Sequence, residues 1–304
     1  MVNFATNRAR VSDNRIFGPE FDQEHIYVLG TIEVDRVSLQ SDPNSLKLEG
    51  PPKARDNSQL TLSRAASKED DGSLVARFAS QLAQHQKDTS RSADNGGLLF
   101  IHGYNNTFLD SMTAAADLVL KYDLSHVFCF SWPSYGDWLN YKGDQAHAQQ
   151  SAPAVGSWFA NMLAQLSDKD PLLHLICHSM GNRVLSGALQ TIKVAAPHVL
   201  NKRYFEHAIL AAADVSWDAF VQETQLKMLP PLSQWVHIYT NGNDLVLAIS
   251  GTINHNARLG HSGPTKVSPK CRLRRFGSIA PPSEVWASPA TPSPAIGITG
   301  CLDP

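Results

Sequence analysis

The chain has 304 residues, with 26 Lys and Arg against 28 Asp and Glu and a formal net charge of −2. That length can bury a full core as one large domain, and the near-neutral balance leaves no electrostatic footprint for nucleic acid or an anionic membrane. No apolar run approaches the roughly 20 residues that span a bilayer, and the start, Met1 to Arg8, lacks the apolar core of a signal peptide. The cysteines (Cys129, Cys177, Cys271 and Cys301) follow neither metal-ligand nor disulfide-framework spacing. A reducing cytoplasm is therefore the expected location, with Cys129 and Cys177 as small core residues.

In chain order, His25 to Val34 alternates apolar and polar residues, which predicts an early antiparallel edge strand. Residues 38–72 turn polar, with Pro51-Pro52 and the charged run Lys68-Glu-Asp-Asp71, and are expected to be loops with one short strand around Leu46 to Leu48. Leu74 to Leu82 carries a weak helical stripe. Gly97-Leu-Leu-Phe-Ile101 is a buried strand ending at His102-Gly103, Thr107 to Tyr122 is helical, and His126 to Phe130 is the next strand. Ala154, Val155, Trp158, Phe159, Met162 and Leu163 form a helix stripe, with Pro153 expected in its first turn.

Leu172 to Cys177 is a continuous apolar run, as in a parallel strand covered on both faces. A helical repeat through Val184, Leu185, Ala188 and Ile192 follows it at once. His207 to Ala212 and Trp235 to Tyr239 supply two more strands, ending near Asp214 and Asp244. Strands alternating with helices predict an α/β fold: a mostly parallel central sheet with helices on both faces. One domain is expected over 1–262. Residues 263–304 hold eight of the 18 prolines without helix or strand period, and a disordered tail is expected there.

Between the Leu172 strand and its helix stands His178-Ser-Met-Gly181. Strand, sharp turn and helix in this order make a nucleophile elbow of the α/β-hydrolase kind, with Ser179 as nucleophile. Gly181 supplies the small residue that a strained turn needs, and Cys177 replaces the usual first glycine. The bland alternative is a helix N-cap serine. A serine needs a base, and an imidazole needs a carboxylate to orient it; on this fold the order is serine, acid, histidine. Asp244, in the polar turn after the later strand, is favoured over Asp214 as the acid, and a helix N-cap is the other role open to either. After Asp244 only His255 and His261 remain. His261, flanked by glycines in Arg258-Leu-Gly-His-Ser-Gly263, is the candidate base, and a solvent-facing loop histidine is the alternative. The backbone N–H groups of Tyr104 and Met180 are the expected oxyanion hole, with Gly103 letting the first loop turn tightly. His102 and His178 are expected to order the site rather than to catalyse. No histidine pair has metal-ligand spacing on a helix, so no metal is expected.

Together, Phe100-Ile-His-Gly-Tyr-Asn-Asn-Thr-Phe108, Ser131-Trp-Pro-Ser134 and His178-Ser-Met-Gly-Asn-Arg-Val184 resemble the bacterial α/β-hydrolase family catalogued as a domain of unknown function, DUF900. Phe4 to Arg8 is similar to that family's first strand, and Tyr239 to Ser250, containing Asp244, resembles the segment with its acid. The resemblance covers roughly Met1 to Gly260. It implies a serine-hydrolase fold and carboxylic-ester chemistry without a cofactor, and no particular substrate. Family members carry a late histidine in a stretch like His-Ser-Tyr-Phe; this chain has no histidine beyond His261.

Two functions are therefore weighed. The first is a serine esterase, lipase or thioesterase acting on a small-molecule ester through an acyl-enzyme, its pocket lined by Trp132, Tyr135, Trp138 and Tyr141 unless these are packing residues. The second is a binding protein on the same fold, impaired by the missing late histidine. The sequence leaves the oligomeric state open.

Overall fold

The computed structural model describes residues 1–13, 15–32, 34, 61–64, 68–88, 96–265 and 273–276. Strand β6 (Gly97–Ile101) lies at the centre of a nine-stranded sheet. Its side chains alternate between two cores: Leu99 and Ile101 enter one, Leu98 and Phe100 the other. This two-sided burial explains why it reads as an unbroken apolar run. Around it stand β7 (His126–Ser131), β8 (Leu173–His178), β9 (Phe205–Ala211) and β10 (Ser233–Tyr239), with β1 (Val2–Thr6), β4 (Val28–Ile32), β5 (Thr61–Arg64) and β11 (Leu273–Phe276) completing the order β11-β10-β9-β8-β6-β7-β1-β4-β5. Every pairing from β1 to β11 is parallel, whereas β4 is antiparallel to both β1 and β5. Strands β2 (Arg8–Arg10) and β3 (Phe17–Phe21) form a separate small ribbon.

Helices cover both faces. The larger core joins the sheet to α1 (Lys68–Asp88), α3 (Tyr141–Leu166) and α4 (Gly181–Ala195), while α2 (Phe108–Lys121) closes the other face through Phe108, Met112 and Ala115. Helix α2 starts where Thr107 and Asp110 form a reciprocal capping box. Three short helices follow: α5 (Leu229–Leu232), α6 (Leu245–Ile253) and α7 (Leu259–Ser262). No helix among the described residues is long and apolar enough to cross a membrane.

Four features differ from the sequence expectation. The early strand β4 is not at the edge, because β5 pairs outside it, within a stretch expected to be loop. The acidic run after Lys68 falls in α1 rather than in a loop. Pro153 lies inside α3, which begins at Tyr141. The first half of α3 lacks an apolar stripe because its buried positions include Asp144 and Ala148, and tertiary contacts there outweigh the lost proline hydrogen bond. Finally, β11 forms within 263–304 and pairs with β10 from Val236↔Leu273 to Tyr239↔Phe276. Positions 266–272 and 277–304, like the strand expected around Leu46 to Leu48, lie outside the described residues.

The topology fixes where ligands can bind. From β6 the chain steps to β7 on one side, then crosses to β8 on the other and continues outward to β11. The loops after β6 and β8 thus diverge at the carboxyl edge of the sheet, and such a reversal opens a crevice.

Candidate active site

Ser179 occupies that reversal point. Its φ of 47° places it in the left-handed region, where a side chain costs about 1–2 kcal/mol. The turn is held by Ser179 N–H donating to the Ala211 carbonyl (2.8 Å) and by the Ser179 carbonyl accepting from the N–H groups of Asn182 and Asp214 (3.1 Å each) and from Asn182 Nδ2 (3.0 Å). Gly181 is required by approach: a β-carbon there would lie 2.4 Å from the His102 carbonyl oxygen. Cys177 is wholly buried in the larger core, so the first small position of the elbow serves packing.

The loop after β6 lies directly against the elbow. A β-carbon on Gly103 would meet His178 Nδ1 at 2.6 Å and Ser179 Cβ at 3.1 Å. Gly103 has no positive φ, so it is needed for close approach rather than for a tight turn. Neither Tyr104 N–H nor Met180 N–H donates to an acceptor among the described residues. His102 donates its Nδ1–H to the Gly103 carbonyl (2.7 Å), stacks on Trp132 at 5.1 Å between ring centres, and is pushed down to about 3 by burial and then by Arg8. It is a neutral ordering residue, as its place in the chain suggests.

The rest of this loop is clamped by residues that sequence reasoning did not single out. Arg8, 1 % exposed, donates to Ser131 Oγ (3.0 Å) and to the carbonyls of Gly18 (3.2 Å), Ser134 (2.9 Å) and Asn106 (2.8 Å). Asp144, wholly buried, accepts from Asn105 N–H (3.0 Å), Tyr135 N–H (2.7 Å) and Ser134 Oγ (2.5 Å). Burial lowers the Arg8 guanidinium to about 9 against the opposing pull of Asp144. The sequence marks Arg8 only as the end of the Phe4–Arg8 segment similar to the family's first strand; Asp144 lies in an unremarkable polar stretch.

The two acid candidates differ sharply. Asp214 accepts from Tyr141 Oη (2.5 Å), Ser250 Oγ (2.5 Å), Arg183 Nε (3.1 Å) and Arg183 Nη2 (3.2 Å). Burial pushes its carboxyl up, but the charge and hydrogen bonds of Arg183, with Ser250 and Tyr141, hold it below the ordinary range. Those four bonds fill both oxygens, which leaves no room for a histidine. Asp244 caps α6 through Oδ1, which accepts from Leu247 N–H (3.0 Å), and its Oδ2 has no partner among the described residues. Its N-cap role and its availability as an acid are therefore compatible.

His261 lies on α7, which is pressed onto the loops after β9 and β10. Leu259 N–H donates to Val215, Gly260 N–H donates to Ala213, and the Gly260 carbonyl accepts from Asn241 N–H, each at 2.9 Å. Ser179, Asp244 and His261 thus belong to neighbouring loops at one edge of the sheet. No hydrogen bond links the three side chains; His261 Nδ1 lies instead at hydrogen-bond distance, 3.1 Å, from Ser262 Oγ. His255 is exposed beyond the end of α6. The four aromatic residues do not form a common pocket. Trp132 is buried on His102, Tyr135 stacks on His147, Trp138 is 68 % exposed, and Tyr141 binds Asp214. Among the described residues no cluster of His, Cys, Asp or Glu can hold a metal ion.

Comparison with known proteins agrees with this architecture. Over 65 residues, 21% of the chain, the sequence is 37% identical to an uncharacterized protein, alr1448, of Nostoc sp. (strain PCC 7120), and that stretch spans 16% of the relative's length. Residues 77–279, more than half of the chain and including the whole β6–β10 region, match the family described as alpha/beta hydrolase of unknown function (DUF900). The chain belongs to this α/β-hydrolase family.

Proposed function

We propose that the protein is a serine hydrolase of carboxylic esters with Ser179 as its nucleophile. The observation that carries this reading is the left-handed backbone of Ser179 at the β8–α4 turn. Strain of this kind persists only where the surroundings enforce it, and it collects at functional sites. In the reaction, Ser179 Oγ attacks the ester carbonyl and passes its proton to His261, while Asp244 orients the imidazole. The tetrahedral oxyanion accepts hydrogen bonds from Tyr104 N–H and Met180 N–H, whose lack of acceptors among the described residues supports this role. The histidine returns the proton to the departing alcohol, and water then releases the acyl group by the same steps.

Labelling with a fluorophosphonate probe tests this. Modification of the intact chain that disappears in both Ser179→Ala and His261→Ala is the expected result. Loss in Ser179→Ala alone would retain the nucleophile and reject His261 as base. Absence of labelling in folded protein would favour a binding protein, a reading supported by the His261–Ser262 hydrogen bond in place of a His261–Ser179 one.

A further inference from the structure

Two guanidinium groups converge on Asp214 where one would suffice. Arg183 alone bonds both carboxylate oxygens, and Tyr141 and Ser250 complete the acceptor capacity of the group. Arg258 therefore has nothing left to bond: its Nε stands 3.4 Å from Asp214 Oδ1 and makes no hydrogen bond. None of its guanidinium N–H groups has an acceptor among the described residues, although Arg258 is only 5 % exposed. Its Nε is sealed from solvent, whereas the two terminal nitrogens are not. Burial and the neighbouring Arg183 both disfavour its charge, against the weaker support of Asp214 and Tyr141. A mostly buried cation whose donors find no acceptor among the described residues is costly to keep. Its fork of donors matches an oxyanion better than any other ligand.

This spare cation is linked to the nucleophile's turn through Asp214. The Asp214 N–H is bonded to the Ser179 carbonyl, and the Tyr141 ring that holds the Asp214 carboxylate packs edge-on against Tyr104 at 5.5 Å between ring centres. Arg258 immediately precedes the helix that carries His261.

We propose that Arg258 is an anion-binding residue, and that the esters cleaved at Ser179 carry a carboxylate or phosphate group that it grips. The substrate class rests on the serine-hydrolase reading; the anion site does not.

The test has a binding arm and a turnover arm. Glutarate and inorganic phosphate are titrated calorimetrically into the wild type, Arg258→Gln and Arg258→Lys. In parallel, 4-nitrophenyl hemiglutarate is compared with its uncharged analogue 4-nitrophenyl pentanoate. The proposal expects saturable binding of at least one anion, glutarate marking a carboxylate site and phosphate a phosphate site. It also expects that Arg258→Gln lowers the hemiester-to-neutral-ester ratio of kcat/KM by roughly tenfold or more, the scale of a lost hydrogen bond to a charged group. Arg258→Lys, which keeps the charge without the fork, should bind more weakly than the wild type. Should Arg258→Gln fail to fold, the wild type and the lysine variant still decide. Neither anion binding the wild type, or binding unchanged in the variants, overturns the anion site. Arg258-dependent binding without ester turnover or Ser179 labelling would remove the hydrolase reading and keep the site. Turnover and labelling without anion binding or hemiester preference would do the reverse.

Discussion

Two buried arginines stand among the loops around the Ser179 turn, and their guanidinium groups are used in opposite ways. Arg8, on the β6–β7 side, spends its donors on four acceptors and lies in the field of Asp144. Arg258, on the β9–β10 side, has a guanidinium without a hydrogen-bond acceptor among the described residues, and it shares Asp214 with a better-placed Arg183. A fully satisfied buried charge is a structural device, since it fixes a unique geometry. A buried charge left unsatisfied costs stability, and natural proteins retain such costs at functional sites. The contrast separates residues that build the site from residues that address a ligand.

The largest expected effect breaks the satisfied side. Asp144→Ala deprives Arg8 of its counter-charge and leaves the N–H groups of Asn105 and Tyr135 unpaired. Losing one partner of a buried charged network costs about 3–5 kcal/mol, to be read from the urea midpoint. A change below about 1 kcal/mol would mean that the loop after β6 is held by something else. Acidification acts on the same side. His102 is held down to about 3 from 6.5, by burial and then by Arg8, so the unfolded chain takes up the proton first. Its contribution is fully present above pH 6.5 and is lost as pH falls toward about 3, by up to about 1.4 kcal/mol per pH unit. His174, also pushed down to about 3 by burial, adds a slope of the same sign. Unfolding measured at successive pH values should show a shallower acid slope in His102→Asn than in the wild type.

The two sides also differ in how far the sequence reveals them. The β6 and β8 strands, the elbow and the loop after Ile101 are legible because each is written in consecutive residues: an apolar run, then a small residue, then a helical repeat. Edge strands β5 and β11 are not, since Thr61–Arg64 and Leu273–Phe276 carry no apolar alternation of useful length. The partners of the buried charges are hidden for a different reason. Arg8 meets Ser131 and Ser134 across more than 120 positions, and Asp214 gathers its donors from α3, α4 and α6. Local period carries no information about such pairings. Asp214 follows a strand just as Asp244 does, and only the count of its hydrogen bonds separates the two as acids.

A smaller effect of opposite sign is expected on the unsatisfied side. Arg258→Met keeps the apolar stem and removes the surplus charge, while Asp214 retains Arg183, Tyr141 and Ser250. Stability should rise by about 1 kcal/mol, since replacing buried charge by an apolar side chain of similar size is often neutral or stabilising. A loss of that size would place Arg258 with Arg8 among the structural residues and erase the contrast.

The smallest effect is expected at Ser179 itself. Its left-handed backbone costs about 1–2 kcal/mol for any residue with a β-carbon. Glycine escapes this cost and gives back about 0.5–1 kcal/mol through its freer unfolded chain. Ser179→Gly should therefore gain about 0.5–1 kcal/mol over Ser179→Ala, because alanine keeps the strain. Both variants lose the hydroxyl, so their difference in urea midpoint isolates the backbone from the chemistry. Equal stability would mean that the elbow stores no strain, and that the geometry at Ser179 has been arranged by packing from Gly103 and Gly181 alone.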